Sequence, residues 1–277
     1  MIRQFRQVDV FTDTPLAGNP VAVVHEADGM TGDEMLRFAR WMNLSETTYL
    51  LAPRDPRADY RVRIFTTSQE LPFAGHPTLG TCHSWLEAGG RPARSGVVTQ
   101  ECGAGLVPVR RTAGGRLAFA TPPLLRSGPV EPSMVAEIAS VLRIGRDEIV
   151  DAQWADNGPG WVAVLLPDAA AVLALRPGYV PLDLGVAGPY PAGSPEAFEV
   201  RAFFPKDGAT AEDPVTGSLN GSLAQWLLGT GRAAAPYVAS QGTALGRRGR
   251  VHVSVDDEGG IWVGGDTITL ITGTVTL

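Results

Sequence analysis

Cysteine is almost absent from this chain. Of its 277 residues only Cys82 and Cys102 carry a thiol. That excludes a disulfide-stapled secreted scaffold and fits a reducing, cytoplasmic setting. Long apolar runs are missing as well. No stretch approaches the roughly 20 apolar residues of a membrane span, although 44% of the chain is hydrophobic. The segment Met1-Ile-Arg-Gln-Phe-Arg-Gln7 has no apolar signal core, so export is not expected. Basic charge is in deficit: 23 Lys and Arg against 29 Asp and Glu leave a net charge of −6. A general nucleic-acid surface should be basic, so no nucleic-acid partner is expected. Arg247, Arg248 and Arg250 are the local exception; they read as a solvated turn or a contact to a phosphate or carboxylate. The histidines (His25, His76, His83, His252) show neither an HExxH pattern nor Cys/His metal spacing, so no metal site is expected. Gly103-Ala-Gly105 lacks the third glycine and the following helix of a dinucleotide fingerprint, and no Walker sequence occurs. Nothing calls for a nucleotide cofactor.

What is present is a repeat. Arg61-Val-Arg-Ile-Phe65 continues to Gly75-His-Pro-Thr-Leu-Gly-Thr81 and Trp85-Leu86. Glu199-Val-Arg-Ala-Phe203 continues to Asp213-Pro-Val-Thr-Gly-Ser218, Gly221-Ser222 and Trp226-Leu227. The strand-like parts align at an offset of 138 and the helix-like parts at 141, so the second loop carries three extra residues. Each copy ends a strand in a Gly/Pro/Ser/Thr loop that opens a helix. Such a chain is expected to be pseudo-twofold, with its site in a cleft where two helix N-termini face each other. Helix N-termini attract anions through free N–H groups and the macrodipole, so the expected ligand is a small carboxylate.

Elements follow from periodicity and punctuation. Gln7 to Phe11 and Val21 to His25 read as strands. Thr31-Gly-Asp-Glu34 is a capping box opening a helix with Met35, Leu36, Phe38, Ala39 and Met42 on its apolar side. Thr47 to Leu51 and Tyr60 to Phe65 read as strands. Pro77 suits the first turn of a helix ending at Gly89-Gly90, with Leu79, Cys82, Trp85 and Leu86 as its buried stripe. Strands over 97–101, 106–110 and 116–120 surround a turn at Ala113-Gly-Gly115. Proline-rich 122–132 reads as the linker between an N-terminal half, 1–121, and a C-terminal half, 122–277. In the second half, helices are expected near 133–142 and 168–175, a buried strand over 161–166, and a loop-rich stretch over 176–195. Strands over 250–255, 260–263 and 267–275 close the chain, the last a candidate to cross back to the first half. Two α+β halves, each a curled sheet around one central helix, are the expected architecture.

Several residues could carry chemistry, each with an ordinary alternative. His76 is either a polar residue at a helix mouth or a group that donates to a bound carboxylate and shuttles a proton. Asp213 before Pro214 initiates turns, but it occupies the loop that matches the His76 loop. Glu212 beside it reads as solvated. Ser218 reads as an N-cap, and Gly217 allows close backbone approach to a ligand. For Glu46, a solvated loop carboxylate is the ordinary reading. Its flanks, Leu44 and Tyr49-Leu-Leu51, are apolar, and a carboxylate partly desolvated among them would be a usable base. Asn19 is an amide contact to a ligand or a plain turn residue; Gln241-Gly242 opens a second glycine-rich connection. Asn157-Gly-Pro-Gly160 reads as a turn. Cys82 and Cys102 read as structural.

Taken together, Val8-Asp-Val-Phe-Thr12 with Gly18-Asn-Pro20, Asn43-Leu-Ser-Glu-Thr47, Glu70-Leu-Pro-Phe-Ala-Gly-His-Pro-Thr78, Glu212-Asp-Pro-Val-Thr-Gly-Ser218 and Gln241-Gly242…Gly246-Arg247 resemble the phenazine-biosynthesis PhzF family, in order and over nearly the whole chain. The resemblance implies a diaminopimelate-epimerase-like fold of two similar halves, each a mostly antiparallel sheet around a central helix. It implies a homodimer that uses neither metal nor organic cofactor. It implies Glu46 as general acid/base, His76 with Gly75 as the first helix-mouth motif, and Asp213 with Ser218 as the second. Asn19, Gly75, Gly217, Ser218 and Gln241 are the expected substrate contacts. The expected activity is isomerisation of a small unsaturated amino or hydroxy carboxylate by moving a proton. An amino-acid epimerase or racemase, and a non-catalytic carboxylate-binding dimer, are the alternatives.

Overall fold

The computed structural model describes residues 1–112 and 114–277. Ala113, in the expected 113–115 turn, lies outside the described residues. In chain order the first elements are β1 (Ile2–Val10), β2 (Asn19–Val24), α1 (Gly32–Met42), β3 (Glu46–Leu51), β4 (Tyr60–Phe65), β5 (Glu70–Leu71), α2 (Gly75–Glu87), β6 (Val97–Cys102), β7 (Gly105–Arg111) and β8 (Leu117–Ala120). Then come β9 (Arg126–Pro129), α3 (Pro132–Leu142), β10 (Asp151–Asp156), β11 (Val162–Leu165), α4 (Ala169–Ala174), β12 (Leu184–Pro189), β13 (Phe198–Lys206), β14 (Ala209–Asp213), α5 (Gly217–Gly229), β15 (Tyr237–Gln241), β16 (Gly249–Val255), β17 (Ile261–Gly265) and β18 (Thr267–Thr276). The chain divides into two compact units. One is Met1–Ala120 with Gly264–Leu277; the other is Thr121–Val263.

In the first unit, β1 pairs antiparallel with both β2 and β18. β2 and β3 run parallel, and β3–β4, β4–β5, β6–β7 and β7–β8 are antiparallel. The sheet wraps α2, which touches β1, β2, β3, β6, β8 and β18. Being enclosed, α2 is buried nearly all round its first two turns (Gly75 to Cys82), not only along the expected stripe. Small residues make that enclosure possible. A Cβ at Gly80 would sit 2.3 Å from Val21 Cγ1 and 3.0 Å from Val10 Cγ2. The buried hydroxyls of α2 are spent on side-chain partners: Thr78 accepts from Gln100 (3.0 Å), Thr81 donates to Thr48 (2.8 Å), and Ser84 meets His25 Nε2 (2.7 Å). On the outer face, α1 starts at the expected capping box: Glu34 N donates to Thr31 Oγ1, and Thr31 N to Glu34 Oε2. Its Met35, Phe38 and Ala39 pack against Val24, Tyr49 and Phe65.

The second unit repeats the plan. β13 pairs antiparallel with β12 and β14 and parallel with β15. α5, thirteen residues long like α2, is buried from Leu219 to Ala224. Gly221 faces Thr121, where a Cβ would meet Cγ2 at 2.7 Å. One sequence expectation fails here. The stretch 176–195, rich in Gly and Pro, contains the buried strand β12. Its glycines are there for space: a Cβ at Gly185 would lie 2.3 Å from Leu219 Cδ1, and one at Gly188 would lie 2.2 Å from the Asp168 carbonyl. The proline-rich 122–132 segment likewise contains a strand, β9, paired with β10.

The duplicated Arg of the repeat makes a duplicated brace. Arg63 holds Glu70 through two hydrogen bonds (2.7 and 2.6 Å) and lies over Phe65. Arg201 holds Glu212 in the same way (2.9 and 2.7 Å) and lies over Phe203. Each pair ties the repeat strand to the strand that leads into a central helix. Glu212, expected to be solvated, is therefore an ion-pair partner whose side chain is 11% exposed.

Candidate active site

In the first unit, three chain segments converge at the N-terminus of α2. Asn19 opens β2, and Glu46 opens β3, paired in register with Val21. His76 is the second residue of α2. The Asn19 loop is fixed from below by Asp9, whose Oδ2 accepts from Gly18 N (3.1 Å). Only glycine fits at 18, because a Cβ would meet the Val10 carbonyl at 2.2 Å. The two ring nitrogens of His76 address different groups. Nδ1 faces the Asn19 amide nitrogen at 3.4 Å, and Nε2 lies 3.3 Å from Glu46 Oε2. The side chains of His76 and Glu46 are 5% and 15% exposed. Burial pulls the His76 pKa down from 6.5 to about 3, and a hydrogen bond to the Pro20 backbone acts the other way. The imidazole is therefore neutral at physiological pH, a hydrogen-bonding and proton-relaying group rather than a fixed cation.

No side chain caps α2, and Pro77 contributes no N–H to its first turn. α1 and α4, by contrast, carry side-chain caps from Thr31 and Asp168. An uncapped, buried helix start leaves amide donors for an anion.

In the second unit the matching helix, α5, also lacks a side-chain cap. Its N-cap is Thr216, not the expected Ser218, which lies inside the first turn. The Thr216 hydroxyl is drawn away from the helix: it donates to Asp213 Oδ2 at 2.6 Å. Gln241, fully buried, clamps this corner. Its Oε1 accepts from Thr216 N (3.0 Å) and Asn220 Nδ2 (2.8 Å). Its Nε2 donates to the Asp213 carbonyl (3.2 Å) and Thr216 Oγ1 (2.9 Å). Ser218 Oγ accepts from Trp161 Nε1 (3.1 Å), and its carbonyl accepts from Asn157 Nδ2 (3.0 Å).

A cavity of about 420 Å³ lies elsewhere in the first unit, lined by Arg54, Arg61, Arg63, Glu70 and Glu101 among others. It includes none of the candidate residues. Among the described residues, no cluster of His, Cys, Asp or Glu could hold a metal ion, and no helix is long and apolar enough to cross a membrane.

The phenazine biosynthesis-like family model, PhzC-PhzF, matches residues 8–275. The chain belongs to the PhzC-PhzF family. It is 35% identical to a trans-2,3-dihydro-3-hydroxyanthranilate isomerase of Pseudomonas chlororaphis, over 98% of both chains. It is 34% identical to antisense-enhancing sequence 1 of Schizosaccharomyces pombe, over 97% of both. A crystal structure of a PhzF-family phenazine biosynthesis protein from Bacillus anthracis superposes over 100% of both chains with a TM-score of 0.83, at 22% identity. The architecture is thus the α+β, diaminopimelate-epimerase-like one that the sequence implies, and this PhzC-PhzF family member is an isomerase.

Within that family frame, the structure gathers Asn19, Glu46, Gly75 and His76 at the α2 mouth, and Asp213, Gly217, Ser218 and Gln241 at the α5 mouth. Gln241 has all four hydrogen-bonding positions of its amide occupied by protein, which makes it a support for the loop. Sequence reasoning did not single out Asp9, Thr216 or Asn220. Asp9 carried a readable signal, a carboxylate inside the apolar run Val8-Asp-Val10. Thr216 and Asn220 carried none; a Thr and an Asn four residues apart are ordinary on any helix.

Proposed function

We propose that this isomerase moves a proton within a small unsaturated amino or hydroxy carboxylate, such as a dihydro-hydroxyanthranilate or a related diene, without metal or organic cofactor. Glu46 is the general acid/base. The observation that carries the reading is the Glu46–His76 contact, two nearly buried titratable groups 3.3 Å apart at an uncapped helix start. A proton shifted along one face of a conjugated system needs one carboxyl group that first accepts and then returns it. Neutral His76 holds that carboxyl group in place and can relay its proton, and Asn19 orients the ring. The Gly75 and His76 amides of α2 receive the substrate carboxylate and the charge that develops on it. Asp213 is assigned to the same reaction by the repeat that matches its loop to the His76 loop, with Gly217 and Ser218 as the second set of helix-mouth amides. A reducing cytoplasm is the setting that best fits the scarcity of cysteine.

The test is Glu46→Gln, which keeps shape and hydrogen bonding but cannot take a proton. Turnover of a dihydro-hydroxyanthranilate is expected to fall by at least about 100-fold, with ligand binding and folding kept. Wild-type turnover in D₂O is expected to place deuterium at the newly protonated carbon unless the proton held by Glu46 is shielded from solvent during transfer. Near-normal turnover by Glu46→Gln would remove Glu46 from the role and move it to Asp213 or His76. Racemisation of a chiral product would assign the epimerase reading instead.

A further inference from the structure

The cavity of about 420 Å³ in the first unit is lined by charged side chains that the protein itself only partly uses. It lies on the sheet face that carries Arg61 and Arg63 of β4, which alternate with the buried Tyr60, Val62 and Ile64. Its carboxylates are engaged. Glu70 takes both hydrogen bonds of Arg63. Glu101 Oε2 accepts from the backbone N–H groups of Arg54 (2.7 Å) and Asp55 (3.1 Å), and Asp28 Oδ2 accepts from Ala52 N (3.0 Å). Two of its cations are not engaged. Among the described residues, the side chains of Arg54 and Arg61 make no hydrogen bond or ion pair.

Arg61 is the more informative of the two. It is partly buried, with its Nε sealed from solvent, so the guanidinium is held against the sheet. Its partner in the β4–β6 register is Glu101, the natural ion-pair partner, but that carboxylate is turned to the 54–55 loop. A guanidinium that is partly desolvated and unpaired is costly, and an anion in the cavity offsets that cost. The repeat treats the same position differently in the second unit. Glu199 aligns with Arg61 and is opposite Ser240 as Arg61 is opposite Glu101. Its fully buried carboxylate accepts from the Tyr190 hydroxyl at 2.7 Å. The charge at this position is held by protein in one unit and faces a cavity in the other.

We propose that this cavity is a second ligand site, which takes a small organic monocarboxylate. Its carboxylate pairs with Arg61 and Arg54, and its apolar body lies along Met30 and Leu51, which also line the cavity. A guanidinium matches a carboxylate through a fork of two hydrogen bonds. One negative charge suits the site better than two, because Asp28, Glu70 and Glu101 stand around it and repel a phosphate dianion. The volume falls within the roughly 300–1,000 Å³ of small-molecule sites. The walls are tied in place by protein contacts: Arg3 Nη2 donates to the Asp28 carbonyl (3.2 Å), and Ala104 N donates to the Pro72 carbonyl (3.0 Å). No residue of the α2 or α5 mouth lines the cavity, so the site does not depend on the catalytic reading.

Benzoate is the probe, titrated at low salt into the ¹⁵N-labelled full chain and followed by amide chemical shifts. Benzoate is also expected at the α2 mouth, so the readouts are local: Gly29 and Gly103 report the cavity, and Gly75 and His76 report the mouth. The Gly29 and Gly103 amides are expected to shift with a Kd that is millimolar or tighter. Arg61→Met keeps much of the stem and removes the fork. It is expected to weaken the response at Gly29 and Gly103 by at least about 10-fold, to keep the response at Gly75 and His76, and to leave Tm unchanged or higher. Benzamide, with the same ring and no charge, and phenyl phosphate, with two charges, are expected to bind the cavity at least about 10-fold more weakly than benzoate. If Arg61→Met fails to fold, the three probes on the wild type decide. Gly29 and Gly103 amides unmoved at about 10 mM benzoate, ten-fold above a millimolar Kd, a folded Arg61→Met that responds like wild type, or benzamide or phenyl phosphate binding as well as benzoate would each overturn the site. Failure of the catalytic reading would show in Glu46→Gln turnover and leave the Gly29 and Gly103 signals untouched.

Discussion

The two arginine braces make a controlled comparison inside one molecule. Arg63–Glu70 and Arg201–Glu212 share chemistry, bidentate geometry and an aromatic ring beneath the guanidinium. They differ in burial. The first pair has side chains 28% and 42% exposed; the second, 6% and 11%. Arg201 also donates to the carbonyls of Val172 (3.2 Å) and Leu175 (2.9 Å) at the end of α4. In Arg63→Met the abandoned carboxylate is reached by water, and the loss is expected at about 0–1 kcal/mol, the range of surface ion pairs. In Arg201→Met the Glu212 carboxylate is left buried and unpaired and two carbonyls lose a donor, for an expected loss of about 3–5 kcal/mol. At roughly 2–4 °C per kcal/mol for a protein of this size class, that is about 6–20 °C in Tm. Removing the orphaned charge as well, in Arg201→Met/Glu212→Leu, is expected to recover at least half of the loss, because an apolar pair of similar volume tolerates burial. Thermal and urea denaturation of the three variants against wild type read this directly. Equal losses at the two arginines, or a double variant no better than Arg201→Met, would refute the argument from burial.

Other outcomes follow from single observations. Gln241→Leu removes the acceptor for Thr216 N and Asn220 Nδ2 in a fully buried corner; at about 1–3 kcal/mol per orphaned group it is expected to destabilise the second unit measurably in urea and to reduce turnover by disordering the α5 mouth. Gly80→Val places atoms 2.3 Å from Val21 and should cost at least about 1–3 kcal/mol, whereas Gly229→Ala, with open space around it, should be neutral to slightly stabilising. Stability should also fall in mild acid. Burial, reinforced by Arg6, lowers the His25 pKa from 6.5 to about 4, so between those values the unfolded chain binds a proton that the folded chain does not. The His25 contribution is complete above pH 6.5 and is lost as pH falls toward 4, on the order of 3 kcal/mol. Denaturation midpoints of wild type and His25→Gln at pH 7.5 and 4.5 should converge if this is right, and a parallel pH dependence in the two proteins would count against it.

Much of this arrangement was legible because it is local or repeated. The capping box at Thr31, the strand Tyr60–Phe65 and the two Gly-led central helices each depend on signals within a few residues, and the repeat made one half a check on the other. What was not legible depended on contacts distant in sequence. β12 was hidden because its glycines make room for Leu219 and the Asp168 carbonyl, and glycine read alone signals a turn. Glu212 was misjudged because its partner, Arg201, is on the neighbouring strand. The N-cap is Thr216 rather than Ser218, and its side chain does not cap the helix because its hydroxyl donates to the Asp213 carboxylate while its N–H is held by Gln241, distant in sequence. Glu46 and His76 were singled out separately, but no spacing rule links two residues that meet only because β3 and α2 begin at the same level.

The pairing of β1 with β18 also has a consequence in time. β1 finds its partner β18 only when residues 267–276 have been made, which at about 5–20 residues per second is on the order of 10–50 s after β1 itself. In that interval the second unit, continuous from Thr121 to Val263, is fully synthesised. The unit whose sequence begins first is therefore the one whose sheet is completed last, and until then the hydrogen-bonding edge of β1 that β18 will cover is open to other chains emerging nearby.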